Sequence, residues 1–283
     1  MRTLRLTLTL TVLLALLGGS PARLLAQDAE PTPATVVDRD LGYADRGVYG
    51  LDVYAPSEPG PWPVVVITPG AFQNKAAYAF LARAIAEEGA VVFNAGVSMA
   101  EPFPEATRQV ACAVRFARAT AADHGGDPGH VTLLGHSAGA ALGMVVAMAG
   151  DDYARDCVVT DGSAQVDALV GYEGPFDWAT TDYEQINLVP LKEEDPEAWR
   201  AIDPYAHIGG NPDLVVRLVH GDDTDTAWYE VPRAVSVTFD QALLDAGYDS
   251  ESILLEDADH GAMLYRGSEA VERLVELALR VSE

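Results

Sequence analysis

The sequence predicts an α/β fold built on a doubly wound, mostly parallel sheet. Three observations predict it. Short Val/Ile/Leu-rich runs recur along the chain, close to continuously apolar, as strands buried on both faces should be. Segments with helical apolar spacing alternate with them, which puts helices on both faces of a parallel sheet. One strand-to-helix joint reads Gly135-His136-Ser137-Ala138-Gly139, a Gly-x-Ser-x-Gly turn in its proper context.

The chain opens with a targeting segment. Arg2 and Arg5 precede an apolar run from Leu6 to Leu17, broken only by Thr; Gly18-Gly19-Ser20-Pro21 ends it. The run falls short of the roughly 20 apolar residues a membrane span needs. It is read as a secretory signal peptide cut after Ala26, giving a secreted or periplasmic protein with no membrane attachment after cleavage. Residues 27–47 follow as a flexible leader, and 48–283 as one large α/β domain.

Within that domain the strand-like runs are Gly50–Tyr54, Pro63–Ile67, Val91–Asn94, Val131–Leu134, Ala168–Tyr172, Leu214–Val219 and Ser252–Leu255. Helical patterns fall at Lys75–Glu88, stopped by Gly89, then at Glu105–Ala122 and Ala138–Ala149. Two more cover Pro232–Ala246 and Gly267–Val281. The stretch Trp178–Asn211 breaks the alternation. It carries Pro190, Pro196 and Pro204, mixed charge and aromatics, and is too long for an ordinary loop. It is expected to form a small cap, with a short helix near Pro196–Ile202.

Composition narrows the partners. The chain has 18 basic and 43 acidic side chains, a net charge of −25. Loss of residues 1–26 removes three arginines and no acid, leaving −28. Such a surface repels phosphate backbones and anionic headgroups, so nucleic acid is not an expected partner. Cys112 and Cys157 have no metal-type spacing. In an oxidising compartment they either pair or remain two buried thiols; sequence spacing leaves both open.

The chemistry centres on Ser137. In a nucleophile elbow the serine takes strained backbone angles, and the flanking Gly135 and Gly139 let strand and helix approach. A serine hydroxyl needs a base and an orienting acid. Of six histidines, His260 is the expected base, because Asp257-Ala258-Asp259-His260-Gly261 follows the strand Ser252–Leu255. His136 faces away from its neighbour's oxygen, and His220 is expected to shape a loop. The acid is expected after Leu214–Val219, where Asp222, Asp223 and Asp225 compete; Asp225 is favoured and Asp223 is second. Expected oxyanion donors are the Gly70, Ala71 and Ala138 amides, since Pro69 has no N–H. Phe72 is expected to wall the acyl pocket, and Trp178, Tyr183 and Trp228 to line it or fill the cap core. No metal or cofactor is expected.

With these pieces in order, the chain resembles the α/β-hydrolase superfamily, in its secreted carboxylesterase/lipase-like branch. The resemblance rests on Gly135-His136-Ser137-Ala138-Gly139, His220-Gly221…Asp225, Asp259-His260-Gly261 and the Gly125-Gly126-Asp127-Pro128 approach to the elbow. It covers roughly residues 48–283. It implies a serine hydrolase acting on small ester substrates, short-chain or carbohydrate-linked, through an acyl-enzyme. A peptidase of the same fold and an inactive binding protein are the rival readings. Two departures stand out. The family's His-Gly-Gly-x-Phe/Trp loop reads Thr68-Pro69-Gly70-Ala71-Phe72, and its usual acid position holds Thr224.

Overall fold

The computed structural model describes residues 34–44, 50–181, 183, 187–222 and 231–280. The signal-peptide reading of residues 1–26 lies outside them.

Among the described residues one eight-stranded sheet organises the domain, in the order β1-β2-β4-β3-β5-β6-β7-β8. Its strands are β1 (Ala34–Leu41), β2 (Leu51–Pro56), β3 (Trp62–Thr68), β4 (Val91–Asn94), β5 (Gly126–His136), β6 (Ala168–Tyr172), β7 (Val215–His220) and β8 (Asp249–Leu254). β1 and β2 pair antiparallel, as do β2 and β4; all other pairs are parallel. The helices are α1 (Ala79–Glu87), α2 (Phe103–Thr120), α3 (Ala138–Tyr153), α4 (Pro196–Arg200), α5 (Arg233–Asp245) and α6 (Glu269–Arg280).

Side-chain alternation explains the layers. In β3, Val64 and Val66 face the core under α2, α3 and α5, while Val65 and Ile67 face the core under α1 and α6. All four are fully buried. The central strands are therefore apolar on both faces, as a parallel sheet requires. α6 buries Ala270, Leu274, Leu277 and Ala278, one stripe at helical spacing.

Two boundaries differ from the sequence expectation. Residues 34–41, read as part of the leader, form β1: the Thr-Val-Val run pairs with β2, which would otherwise leave an open edge. The helix expected over Lys75–Glu88 begins as a 3-10 turn, Lys75–Tyr78, capped by the Asn74 side chain, before α1 takes over. The segment after β6 holds α4, begun by an Asp195 cap with Pro196 at the first helical position. Trp178 of this segment lies in the main core and donates its indole N–H to Ile202 O at 2.6 Å.

Helices α2 and α3 pack side by side and bring Cys112 and Cys157 together as a disulfide, with Cα atoms 5.2 Å apart. The bond closes a loop across the nucleophile helix with a sequence separation of 45. Replacing both cysteines with alanine should therefore cost about 2–4 kcal/mol of stability, mainly by freeing the unfolded chain. Chemical denaturation of the oxidised protein and the double variant tests this; equal midpoints would refute it.

Candidate active site

Strand β5 ends at His136, and α3 begins at Ala138. Ser137, between them, has φ 51° and ψ −124°. A non-glycine residue in that region is strained and persists only when its surroundings enforce it. They do so here. A Cβ on Gly135 would sit 2.6 Å from Ala140 Cα, and one on Gly139 would sit 2.3 Å from Pro69 O. Ser137 N–H donates to Tyr172 O at 2.8 Å, tying the turn to the end of β6. Thr68, in the slot of the family's loop histidine, donates its hydroxyl to Gly139 O at 3.2 Å. That bond clamps the end of β3 to the first turn of α3.

His260 lies in the loop after β8, as the sequence predicts, and is 8% exposed. Its Nδ1 is 2.6 Å from Glu173 Oε2. A carboxylate accepts there, so Nδ1 carries the proton and Nε2 keeps a lone pair for base chemistry. Glu173 follows β6 directly and is 2% exposed. Its φ of 48° turns the chain sharply off the sheet. Its second oxygen, Oε1, accepts from Gly221 N–H at 2.9 Å, and its own N–H donates to Val219 O. Gly221 is glycine for lack of space: a Cβ there would lie 2.2 Å from Ala258 O.

Glu173 is the residue that sequence reasoning missed. The expected acids, Asp225 and Asp223, lie outside the described residues, as does Trp228. The usable signal was a carboxylate closing a fully apolar strand, Ala168–Tyr172, at the sheet edge where the elbow also ends.

His136 is the hub of the site rather than its base. Its Nε2 is 2.9 Å from His260 O and its Nδ1 is 2.7 Å from Tyr78 Oη. A carbonyl only accepts, so Nε2 bears the proton; Nδ1 must then accept from the Tyr78 hydroxyl. Tyr78 Oη in turn accepts from Gly70 N–H at 2.9 Å. The chain runs Gly70 N–H to Tyr78 O–H to His136 to the carbonyl of His260. It spans the expected oxyanion turn and the loop of the base. Burial pushes the His136 pKa down to about 3, so the ring stays neutral and the pattern holds.

This chain corrects one oxyanion assignment. Gly70 has a single N–H, and Tyr78 takes it. Ala71 and Ala138 N–H have no protein acceptor among the described residues; Ala138 follows Ser137 directly, and Ala71 follows Gly70, whose Cα carries no side chain against Ser137. Gly70 O accepts from Gln73 N–H across a tight turn in which Phe72 has φ 63° and is 64% exposed. Of the aromatics expected to line the site, Tyr183 is buried. His220 is buried, donating from Nε2 to Val231 O and accepting at Nδ1 from Ser236.

Two outcomes follow from the neutral His136. Unfolded, it takes a proton near its ordinary pKa of 6.5; folded, it does so only near 3. Its share of the stability is complete above pH 6.5 and is lost as pH falls toward 3, by up to about 1.4 kcal/mol per pH unit. His136→Gln, which does not titrate, should flatten that slope in denaturation curves taken between pH 7 and 4; an unchanged slope would refute it. Tyr78→Phe should cost about 1–3 kcal/mol, because it strands the buried Gly70 N–H and His136 Nδ1. Equal stability of the two proteins would show that the hydroxyl carries no such load.

Comparison with known proteins agrees with the fold. The chain is 30% identical over 146 residues to the esterase LipQ of Mycobacterium tuberculosis, covering 48% of this chain and 33% of that one. It is 28% identical over 209 residues to the esterase LipC of the same organism, covering 65% and 50%. The chain thus spans between a third and a half of these relatives. Among solved structures, a truncated carbohydrate esterase from gut microbiota superposes with TM-score 0.69 at 20% identity, over 90% of this chain and 98% of the other. A thermophilic esterase of Thermogutta terrifontis superposes with TM-score 0.64 at 22% identity, over 88% and 90%. Residues 51–243 match the BD-FAE family, and the chain belongs to that family of the α/β-hydrolase fold.

Proposed function

We propose that this protein is an exported serine esterase that cleaves small carboxylic esters through Ser137, His260 and Glu173. The Glu173–His260 hydrogen bond of 2.6 Å beside a strained elbow serine carries the reading. Ser137 Oγ attacks the ester carbonyl while His260 Nε2 takes its proton. Glu173 holds the imidazole in the correct tautomer and balances the imidazolium charge. The Ala71 and Ala138 amides receive the oxyanion. His260 then protonates the leaving alcohol, and a water attacking the acyl-enzyme returns the serine.

The esterase names of the curated relatives support ester bonds over amides. Short acyl groups on carbohydrate are the favoured substrates. One similar structure is a carbohydrate esterase and another an acetyl ester-xyloside bifunctional hydrolase. A net charge of −25 disfavours anionic substrates. Export rests on the Arg2, Arg5 and Leu6–Leu17 pattern and is supported by the disulfide, which is rare in reducing compartments.

Hydrolysis of p-nitrophenyl esters from acetate to palmitate, and of acetylated xylo-oligosaccharide, tests the proposal. Turnover should be greatest for short chains. Ser137→Ala should lose about 10⁴-fold or more in kcat. Glu173→Gln should lose about 10²–10⁴-fold with KM little changed. Full activity of Ser137→Ala would end the proposal; full activity of Glu173→Gln would remove the acid assignment alone.

A further inference from the structure

Tyr172 is bonded, through different atoms, to each of the segments that carry Ser137, His260 and Glu173. It ends β6 and directly precedes Glu173. Its carbonyl accepts from Ser137 N–H at 2.8 Å. Its hydroxyl donates to Asp259 O at 2.6 Å, one residue before His260. The residue is fully buried.

Strand alternation explains this reach. In β6, Leu169 faces the core under α2, α3 and α5, whereas Val170 and Tyr172 face the core under α1 and α6. The loop of the base packs on that second face through Ala258, Ala262 and Met263. The Tyr172 hydroxyl therefore meets the backbone of the loop, while the Glu173 carboxylate meets its imidazole. Tyr172 and His136 are register partners on β6 and β5, with their rings 5.9 Å apart. His136 Nε2 donates to His260 O at 2.9 Å. Two consecutive carbonyls of the loop, those of Asp259 and His260, thus hang on two paired side chains. One of these side chains stands immediately before the nucleophile and the other immediately before the acid.

We propose that Tyr172 is a positioning residue for the base: by holding Asp259 O, its hydroxyl sets where His260 stands relative to Glu173 and the elbow. This rests on the esterase reading above. The hydroxyl makes and breaks no bond to substrate and keeps its proton throughout. It acts on geometry alone. A loop freed at Asp259 would swing about the remaining bond at His260 O and stretch the 2.6 Å contact between His260 Nδ1 and Glu173. Misplacing a reacting group by about 1 Å can cost on the order of 10²-fold in rate.

Tyr172→Phe removes one oxygen and keeps the ring in the core. With p-nitrophenyl acetate we expect kcat to fall about 10–100-fold with KM within about twofold. The low-field proton resonance of His260 Nδ1–H, identified by its loss in His260→Gln, should move upfield or broaden. Tyr172→4-aminophenylalanine restores an N–H donor at the same place and should return kcat to within about threefold of wild type. Unchanged kcat in Tyr172→Phe would overturn the proposal, as would a loss of kcat with the resonance unmoved. An amino variant no faster than the phenylalanine variant would overturn it too. If Tyr172→Phe does not fold, the amino variant decides: kcat and resonance both held support the proposal, and loss of either overturns it. A wild type without turnover would overturn the esterase reading, while the resonance, read in the resting protein, still tests the role of Tyr172.

Discussion

Everything at this site depends on one close approach, where β5 passes into α3. Ser137 holds φ 51° because Gly135 and Gly139 let the helix backbone settle against β3 and β5 with no side chain between. That conformation costs of order 1–3 kcal/mol. Three bonds hold it: Ser137 N–H to the end of β6, Thr68 to Gly139, and the start of α3 on Ser137 O. Each comes from a different element, so the strain is shared by the sheet rather than stored in one loop. The fully buried strands around it give that arrangement its stiffness.

The buried imidazole of His136 extends this rigidity sideways. A neutral ring with one donor and one acceptor can satisfy only one pattern of partners. Tyr78 and the carbonyl of His260 supply that pattern, so the oxyanion turn and the base loop are indexed to the same ring. The arrangement consumes the Gly70 amide. Thr68 shows the same economy: the residue in place of the family's loop histidine fastens backbone.

The electrostatics divide by depth. The surface is strongly acidic, while among the described residues the carboxylate at His260 is almost sealed from water. Glu173 spends both oxygens, on His260 Nδ1 and on Gly221 N–H, which fixes its rotamer and the direction of its charge. A buried carboxylate is tolerable only when paired in this way. Its position after β6, rather than after β7, brings the acid in from the strand next to the nucleophile.

The parallel sheet, the elbow and the position of His260 were legible in the sequence, because each is a local pattern. Buried strands read as apolar runs, a tight strand-to-helix turn demands glycines around its serine, and a histidine after the last strand falls at the ligand edge by topology. Strand β1 was not legible, since a short polar-faced edge strand looks like a leader until β2 lies beside it. Neither was the disulfide, which depends on two helices packing in one register. Glu173 and the spent amide of Gly70 were also hidden. Each is a relation between residues distant in sequence, and only the packing of β3, β5, β6 and the cap decides which hydroxyl, carboxylate or amide meets which partner.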